Sequence, residues 1–561
     1  MSDPTPRPPG GAEGATAPPE ASAEKDTSAP AALPPPSPPG VRTSFARTSA
    51  LLVAATLVSR LIGFFRDMVI AAKFGANGLT DAYNVANSLP NFLNGVLQGG
   101  LSSVVVPTVS PHFGRGDLRR AYGLVNALAL YAGVVSALLV LAVTLLAPQV
   151  VSALAPGMSH RDVAAGARLA RILIWTVAFG VYFYLGAAAL VADDRYFYMS
   201  VGPIFMSGSA TALLLAVRHP PIVLLAVGLL IGSVLQFAFV AVPNLRHWRH
   251  YPPLGETRAG DPEVRRMLRR SVPALVSGAV GQVNAIVDRW VGSLLVPGSI
   301  TEVTLANRVA QVPLGLFGYA ISNASFPALA RAYEAGETER VRDLLARDLR
   351  VVLLLTVPVM AEMVVLAYPI ASAAYRHGHL TPAAARVIGA ALVWYALCLV
   401  PFGVRTVLNR GFFLTGATRI LANMSVVLVL LNAAGDFLFA KVAGMGAPGL
   451  AFGTMVDQWL SIFATFYYLW RVLPATPVRA AADAFWRAAA ASVPLAVASR
   501  FAAVLLARVP YLVTSTLGRI ALVAGAALAG AAVGAAALWL VRYPGLDELG
   551  ARVRRALRAR G

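Results

Sequence analysis

Long, continuous apolar runs dominate the chain. They recur from Ala50 to Tyr543, each roughly twenty residues long. As a helix, about 20 residues cover about 30 Å, the thickness of a bilayer's hydrocarbon core. The runs do not alternate apolar with polar positions, which excludes the two-residue period of a membrane β-barrel. The pattern predicts an all-α polytopic membrane protein with about fourteen transmembrane helices. The first six are expected near 48–72, 79–109, 121–147, 168–191, 196–217 and 221–245. The next six are expected near 271–296, 302–330, 348–373, 384–413, 420–441 and 447–472, and the last two near 484–508 and 515–542.

Part of this pattern occurs twice. "RDMVIAAKFGANGLTDAYNVANSLPN", from Arg66, resembles "DRWVGSLLVPGSITEVTLANRVAQVP", from Asp288. Each has a charged pair, an apolar run, Gly-containing turn residues, Thr then an acid, and Ala-Asn before a proline. Asp67 and Asp81 are fourteen residues apart, as are Asp288 and Glu302. "ADDRYFYMS" around Arg195 and "LNRGFFLTG" around Arg410 repeat at a similar offset. The repeat contains about six helices, an even number, so both copies enter the membrane from the same side. That makes two six-helix lobes, parallel repeats about an axis along the membrane normal, flanking a central cavity that opens to alternate faces.

The expected organisation follows. Residues 1–45 form a disordered Pro-rich cytoplasmic tail, 46–247 the N-lobe and 248–270 a basic cytoplasmic linker. Residues 271–475 form the C-lobe, 476–545 an element of two further helices and 546–561 a basic cytoplasmic tail. The first segment is too polar and Pro-rich to bury a core. It lacks the basic-then-apolar order of a signal peptide.

Composition adds orientation. The chain is 57% hydrophobic and 13% charged, with a net charge of +20. In a soluble protein that charge would suggest nucleic acid. Here the arginines crowd into alternate loops, such as Arg265, Arg266, Arg269 and Arg270, whereas the opposite loops hold only Lys73, Arg161, Arg218, Arg376, Lys441 and Arg508. The positive-inside rule puts both termini in the cytoplasm and leaves nucleic acid unneeded as a partner. Cys398 is the only cysteine, so no intramolecular disulfide forms.

The candidate chemistry lies inside the membrane. "SRLIGFFRDMVIAAKFG" places Arg60, Arg66 and Asp67 within an apolar run. A charge near the bilayer centre costs at least ~2.5–3.5 kcal/mol, so it normally faces a cavity or a partner. Arg60 and Asp67 share one helix face, about 10 Å apart along the axis, and Arg66 points roughly 120° from Arg60. A bend at Gly63 is the expected way to bring both arginines to one cavity. Arg308, after Asn307, adds a cation from the second repeat, next to the Asp288-Arg289 pair. Guanidinium groups bind phosphate bidentately and stay charged, which suits a pyrophosphate headgroup. Snorkelling to an interface, or simple pairing of Arg66 with Asp67, is the competing reading. Asp81 is a gate residue or a helix N-cap after "GLT".

A second constellation comes later. Asn432 and Asp436 share a face at i, i+4. Thr454 lies in the next span, and Asp288 can join them across the bundle. Two carboxylates with amide and hydroxyl oxygens suit a hard cation such as Na⁺ as coupling ion. A proton relay and a polar helix–helix contact are the alternatives. No metal-ligand histidine spacing, Walker loop or nucleophile–base pattern occurs, so no enzyme activity and no other cofactor is expected.

"SRLIGFFRDMVIAAKFGANGLTDAYNVANSLPN" resembles the first two helices of the MurJ/MviN family of lipid II flippases, within the multidrug/oligosaccharidyl-lipid/polysaccharide exporter superfamily. "GSITEVTLANRVAQVPLGLFGYAISNASFPALAR" resembles the family's eighth helix, and "RGFFLTGATR" its Arg-x-Phe-Tyr stretch. The resemblance covers about residues 48–540. It implies an inner-membrane flippase for undecaprenyl-pyrophosphate-linked peptidoglycan precursor, working by alternating access. It also implies substrate contacts at Arg60, Arg66, Asp67 and Arg308, a gate at Asp81, and a sodium site at Asp288, Asn432, Asp436 and Thr454. Lipid II and membrane lipids are the implied partners, with the last two helices as a lipid-tail groove.

The chain departs from the family where Asn94 and Gly99 stand in place of a basic residue and a glutamate, and where Phe413 replaces a tyrosine. Those positions keep another polyprenyl-linked saccharide open as cargo. A transport-inactive scaffold for cell-wall synthesis enzymes is the reading from another class. A cation-coupled drug exporter would place acids, rather than these arginines, in the cavity.

Overall fold

The computed structural model describes residues 39–246, 249, 260–544 and 546. Among these residues every regular element is helical. The first half holds α1 (Pro39–Phe74), α2 (Gly78–Gly114), α3 (Leu118–Leu145), α4 (Ala147–Leu154), α5 (His160–Leu173), α6 (Trp175–Ala192), α7 (Phe197–Ala216) and α8 (Ile222–Leu245). The second holds α9 (Pro262–Ser293), α10 (Ser299–Glu334), α11 (Thr338–Val365), α12 (Ala367–Tyr375), α13 (Pro382–Leu397), α14 (Leu399–Leu414), α15 (Thr418–Asp436), a π-helical turn (Phe437–Val442) and α16 (Ala447–Val472). α17 (Val478–Leu506), α18 (Pro510–Thr514) and α19 (Thr516–Leu540) follow.

Among the described residues, nine helices are long and apolar enough to cross a membrane, and the bent α11–α12 pair makes ten. In this count α5–α6, α13–α14 and α15 with its π-helical turn are one span each. Four further helices, α1, α9, α10 and α16, run to 26–36 residues without reaching that apolarity. They are the helices that carry Arg66, Asp67, Asp288, Arg308 and Asp457.

The repeat is visible element by element. α2 to α8 and α10 to α16 correspond in order, their starts 220 to 225 residues apart. Backbone positions with left-handed φ recur at the same offset: Gly75 with Gly298, Gly116 with Gly336, and Asp194 with Gly416. Tight reversals between helices need φ > 0, which glycine adopts at least cost. Both repeats also break the same helix. Pro148 and Pro369 lack the N–H that would continue α3 and α11, and the second break bends by 75°. The carbonyl freed at Thr144 accepts a hydrogen bond from Arg171 Nε at 3.1 Å.

From Ala50 onward the helices cluster as one unit. One buried cluster joins α1 (Val69, Ile70) to α2, α5, α7 and α8 of the N-lobe. Ala71, one residue on, belongs to the C-lobe cluster with Val303, Ala306 and Tyr375. The end of α1 is thus shared by both lobes. α9 is shared as well: Val264 and Met267 pack with α2, α3 and α6, whereas Val291 packs in the C-lobe. The last two long helices dock on the C-lobe, α17 against α11 and α19 against α12. Leu138, Leu145, Leu430, Phe463 and Leu528 are exposed apolar side chains, as a lipid-covered surface requires.

Two expected boundaries move. α1 begins at Pro39, so residues 39–45 are helical, while 1–38 lie outside the described residues. α9 begins at Pro262 with Asp261 as its N-cap, so the last part of the expected linker belongs to a helix. Residues 250–259 and 547–561 lie outside the described residues.

Candidate functional site

The two lobes meet over a charged cluster. Asp67 on α1 accepts from Arg66 Nε and Nη2 at 3.0 and 2.8 Å through Oδ1. Its Oδ2 pairs with Arg308 Nε of α10 at 3.2 Å. The Arg66 and Asp67 side chains are 13% and 11% exposed, and that of Arg308 is 40% exposed. Arg66 Nη1 also donates to Ser207 Oγ of α7 at 3.4 Å. One carboxylate between two guanidinium groups leaves a net positive charge, and the more exposed arginine is the one supplied by the other lobe. Such a surplus of positive charge favours an anion.

Arg60 is exposed and lies about two turns, roughly 9 Å, earlier on α1. The bonds of the Asp67 cluster do not include it. The expected bend at Gly63 is absent as a break: α1 runs unbroken through that position. Arg289, beside Asp288, joins the cationic groups at the seam although the expected anion site does not include it. Its Nε donates to the Asn84 carbonyl of α2 at 3.3 Å, so it also bridges the lobes. The signal for it in the sequence is its place in the second copy of the charged pair.

Asp81 does not cap its own helix. Asn77 does, accepting from the Leu79 and Thr80 amides. The Asp81 carboxylate reaches across to the N-terminus of α10 instead. It accepts from Gly298 N at 2.6 Å, Thr301 N at 2.8 Å and Thr301 Oγ1 at 2.6 Å. Three otherwise unpartnered donors and the positive end of the α10 dipole favour an anion there. Nearby, His379 N donates to Ala72 O at 2.8 Å and Asn84 Nδ2 to Thr301 Oγ1 at 3.0 Å. Gly298 and Gly378 leave no room for a side chain against Ala76 and Ala72. The seam is closed here by backbone contact.

The acidic constellation assembles in the C-lobe. Asp288 on α9 and Asp436 on α15 lie close enough for their carboxyls to interact. Asn432 Nδ2 donates to Asp436 Oδ1 at 3.4 Å. Two carboxylates in contact need a proton or a cation between them. Asp288 Oδ1, Asp436 Oδ2 and Asn432 Oδ1 are buried without a hydrogen-bond partner among the described residues. Those oxygens fit a hard cation, and the group has too few acids and no histidine for a transition-metal centre. Thr454, on α16, gives its proton to Leu450 O at 3.1 Å, leaving only the lone pairs of its oxygen for a cation.

The departures from the family resolve differently. Asn94 Oδ1 lies against Gly180 of α6, inside the N-lobe rather than at the seam. Gly99 is exposed, with open space around it. Arg410 is structural: it is buried, bonded to Ser325 Oγ at 2.6 Å and Asp348 Oδ2 at 3.3 Å.

At the opposite end of the bundle, Arg120 of α3 clamps the start of α9. It donates to Asp261 Oδ2 and Oδ1 at 2.5 and 2.9 Å, and to Glu263 Oε2 at 2.8 Å. The Arg120 guanidinium holds the Asp261 carboxyl below the usual carboxylate range.

A family model described as "Lipid II flippase MurJ" matches residues 70–522. The chain belongs to the MurJ family. A probable lipid II flippase MurJ of Rhizobium meliloti (strain 1021) is 28% identical over 453 residues, covering 76% of this chain and 81% of the relative. A solved structure titled lipid II flippase MurJ, inward closed conformation, superimposes with a TM-score of 0.73 at 21% identity, over 89% of this chain and 99% of that one. An inward-facing multidrug resistance MATE family transporter of the MOP superfamily follows at a TM-score of 0.60 and 14% identity, over 74% and 95%. The MurJ assignment makes this a polytopic membrane transporter.

Proposed function

We propose that this protein flips lipid II across the bacterial cytoplasmic membrane by alternating access between its lobes. Both termini face the cytoplasm, and fourteen helices span, the ten above plus α1, α9, α10 and α16. The observation that carries the reading is Asp67 held between Arg66 of one lobe and Arg308 of the other. An incoming pyrophosphate competes with Asp67 for both guanidinium groups. Capture therefore loosens a link between the lobes at the moment the substrate arrives. Arg60 and Arg289 extend the cationic path on either side.

In this orientation the Asp81 seam is the outer gate. It opens by giving up the three hydrogen bonds that Asp81 accepts from α10. Each bond to a charged group contributes about 1.5–3 kcal/mol, and ~2.3 kcal/mol is available per charge moved across 100 mV. The Asp288–Asp436 pair is the coupling-cation site, with Asn432 and Thr454 as neutral oxygen ligands; Na⁺ fits it by charge and hardness.

Another polyprenyl-linked saccharide stands as the second reading, because the chain departs from the family pattern at Asn94 and Gly99. The experiment is depletion–complementation. In cells losing their own lipid II flippase, the wild-type chain restores growth and an equally expressed Arg66→Ala form does not. A correctly inserted wild-type chain that fails to rescue sinks the lipid II assignment.

A further inference from the structure

A second cationic site lies away from the lobe seam. A cavity of about 310 Å³ opens between α12, α17, α18 and α19. Arg376, Arg500 and Arg519 line it together with Tyr368, Leu512 and Val513. No carboxylate lines it, and no ion pair among the described residues involves any of the three arginines. Arg519 is only 9% exposed. Its Nη2 donates to Thr516 Oγ1 at 3.3 Å, while its Nε has no partner. A buried guanidinium N–H left unbonded is destabilising, the more so because the group is charged. His377, in the loop beside Arg376, adds no cation at neutral pH, because burial and then the Arg519 charge lower its pKa.

The location sharpens the point. Arg376 precedes Gly378 and His379, which touch Ala72, so the cavity shares a face with the Asp81 seam. That is the face whose loops are poor in cations. Three guanidinium groups converging there without an acid are unfavourable until an anion arrives. The apolar side of the cavity, Leu512 and Val513 on α18, suits a hydrocarbon chain next to that anion. From this juxtaposition we infer that the cavity holds the phosphate-bearing headgroup of an anionic membrane lipid, at a site separate from the Arg66–Asp67–Arg308 cluster. The lipid is a bound ligand of the C-terminal helices, not the transported cargo.

The test is native mass spectrometry of the full chain in neutral detergent, titrated with phosphatidylglycerol. Wild type retains the lipid. Arg376→Gln/Arg519→Gln weakens retention at least tenfold, while Arg471→Gln, outside the cavity, does not. Val513→Trp fills the cavity without removing charge and gives the same loss, which covers the case of a double variant that fails to fold. Equal retention by the double variant and by Val513→Trp overturns the site. Inorganic phosphate bound with the same arginine dependence, and phosphatidylglycerol not bound, assigns the cavity to a soluble anion and overturns the lipid. Neither result depends on lipid II transport.

Discussion

Asp67 and Asp288 occupy the same place in the two repeats, 221 residues apart. Their surroundings are opposite in sign. Asp67 sits between Arg66 and Arg308 and belongs to a site with surplus positive charge. Asp288 faces Asp436, and its neighbourhood has surplus negative charge and unpartnered oxygens. Duplication kept the backbone position and divided the electrostatics. One copy lies among surplus positive charge at the seam between lobes, and the other beside a second carboxylate within one lobe. Arg308 ties the two halves together, because the second repeat supplies the arginine that the first repeat's aspartate holds.

The largest expected effect comes from removing the anion side of this pair. A bidentate guanidinium–phosphate contact contributes roughly 2–4 kcal/mol, so Arg66→Ala should lower lipid II binding roughly 30- to 1,000-fold. Binding measured on the purified chain checks this, and an unchanged affinity would remove Arg66 from the site. Asp288→Asn and Asp436→Asn probe the cation side. Na⁺ should stabilise wild type by up to about 2.7 kcal/mol at a hundredfold excess over the dissociation constant, seen as a higher melting temperature in NaCl than in choline chloride of equal strength. Either substitution should abolish that difference. A wild type indifferent to Na⁺ would turn the pair into a proton site.

The next effect is smaller. Asp81→Asn removes the charge from the contact with α10 and should cost the closed seam about 1–2 kcal/mol. In a Cys398→Ser background, Ala76→Cys should then react faster with an impermeant maleimide. Equal rates would mean that the glycine contacts alone hold the seam. The smallest effect is at the opposite face. Asp261 has a lowered pKa in the folded chain, so its contribution is present above the ordinary carboxylate pKa and is lost as pH falls through the folded value. A partly exposed pair contributes about 1 kcal/mol or less. Arg120→Ala should lower the melting temperature slightly at pH 7, and by progressively less as the pH falls below the ordinary carboxylate pKa.

Much of this was legible in the chain itself. The helices cover the apolar runs, although α1, α5, α9 and α11 begin eight to ten residues before them, and the repeat offset of about 220 follows from Asp67, Asp288 and their flanking residues. The acidic constellation was legible too, since Asn432 and Asp436 are one turn apart on one face. Other assignments were not. Asp81 read equally as a gate residue or as a cap for its own helix, and its carboxylate binds the start of α10. Asn94 looked like a vacancy in the substrate site and instead packs on Gly180. Arg60 looked equivalent to Arg66 and stays exposed outside the cluster.

The sequence by itself determined the membrane spans, the two-fold repeat and the presence of charges that need partners. The hydrocarbon core sets the length of each apolar run, and it makes every charge within that core costly wherever the helix sits. Only the tertiary structure decided which charge answers which. Arg308 meets Asp67, Asp436 meets Asp288 and Asp81 meets Gly298 across separations of about 150 to 240 residues. Those pairings depend on how each helix is rotated about its axis and how the lobes dock, and a local pattern of residues carries neither quantity.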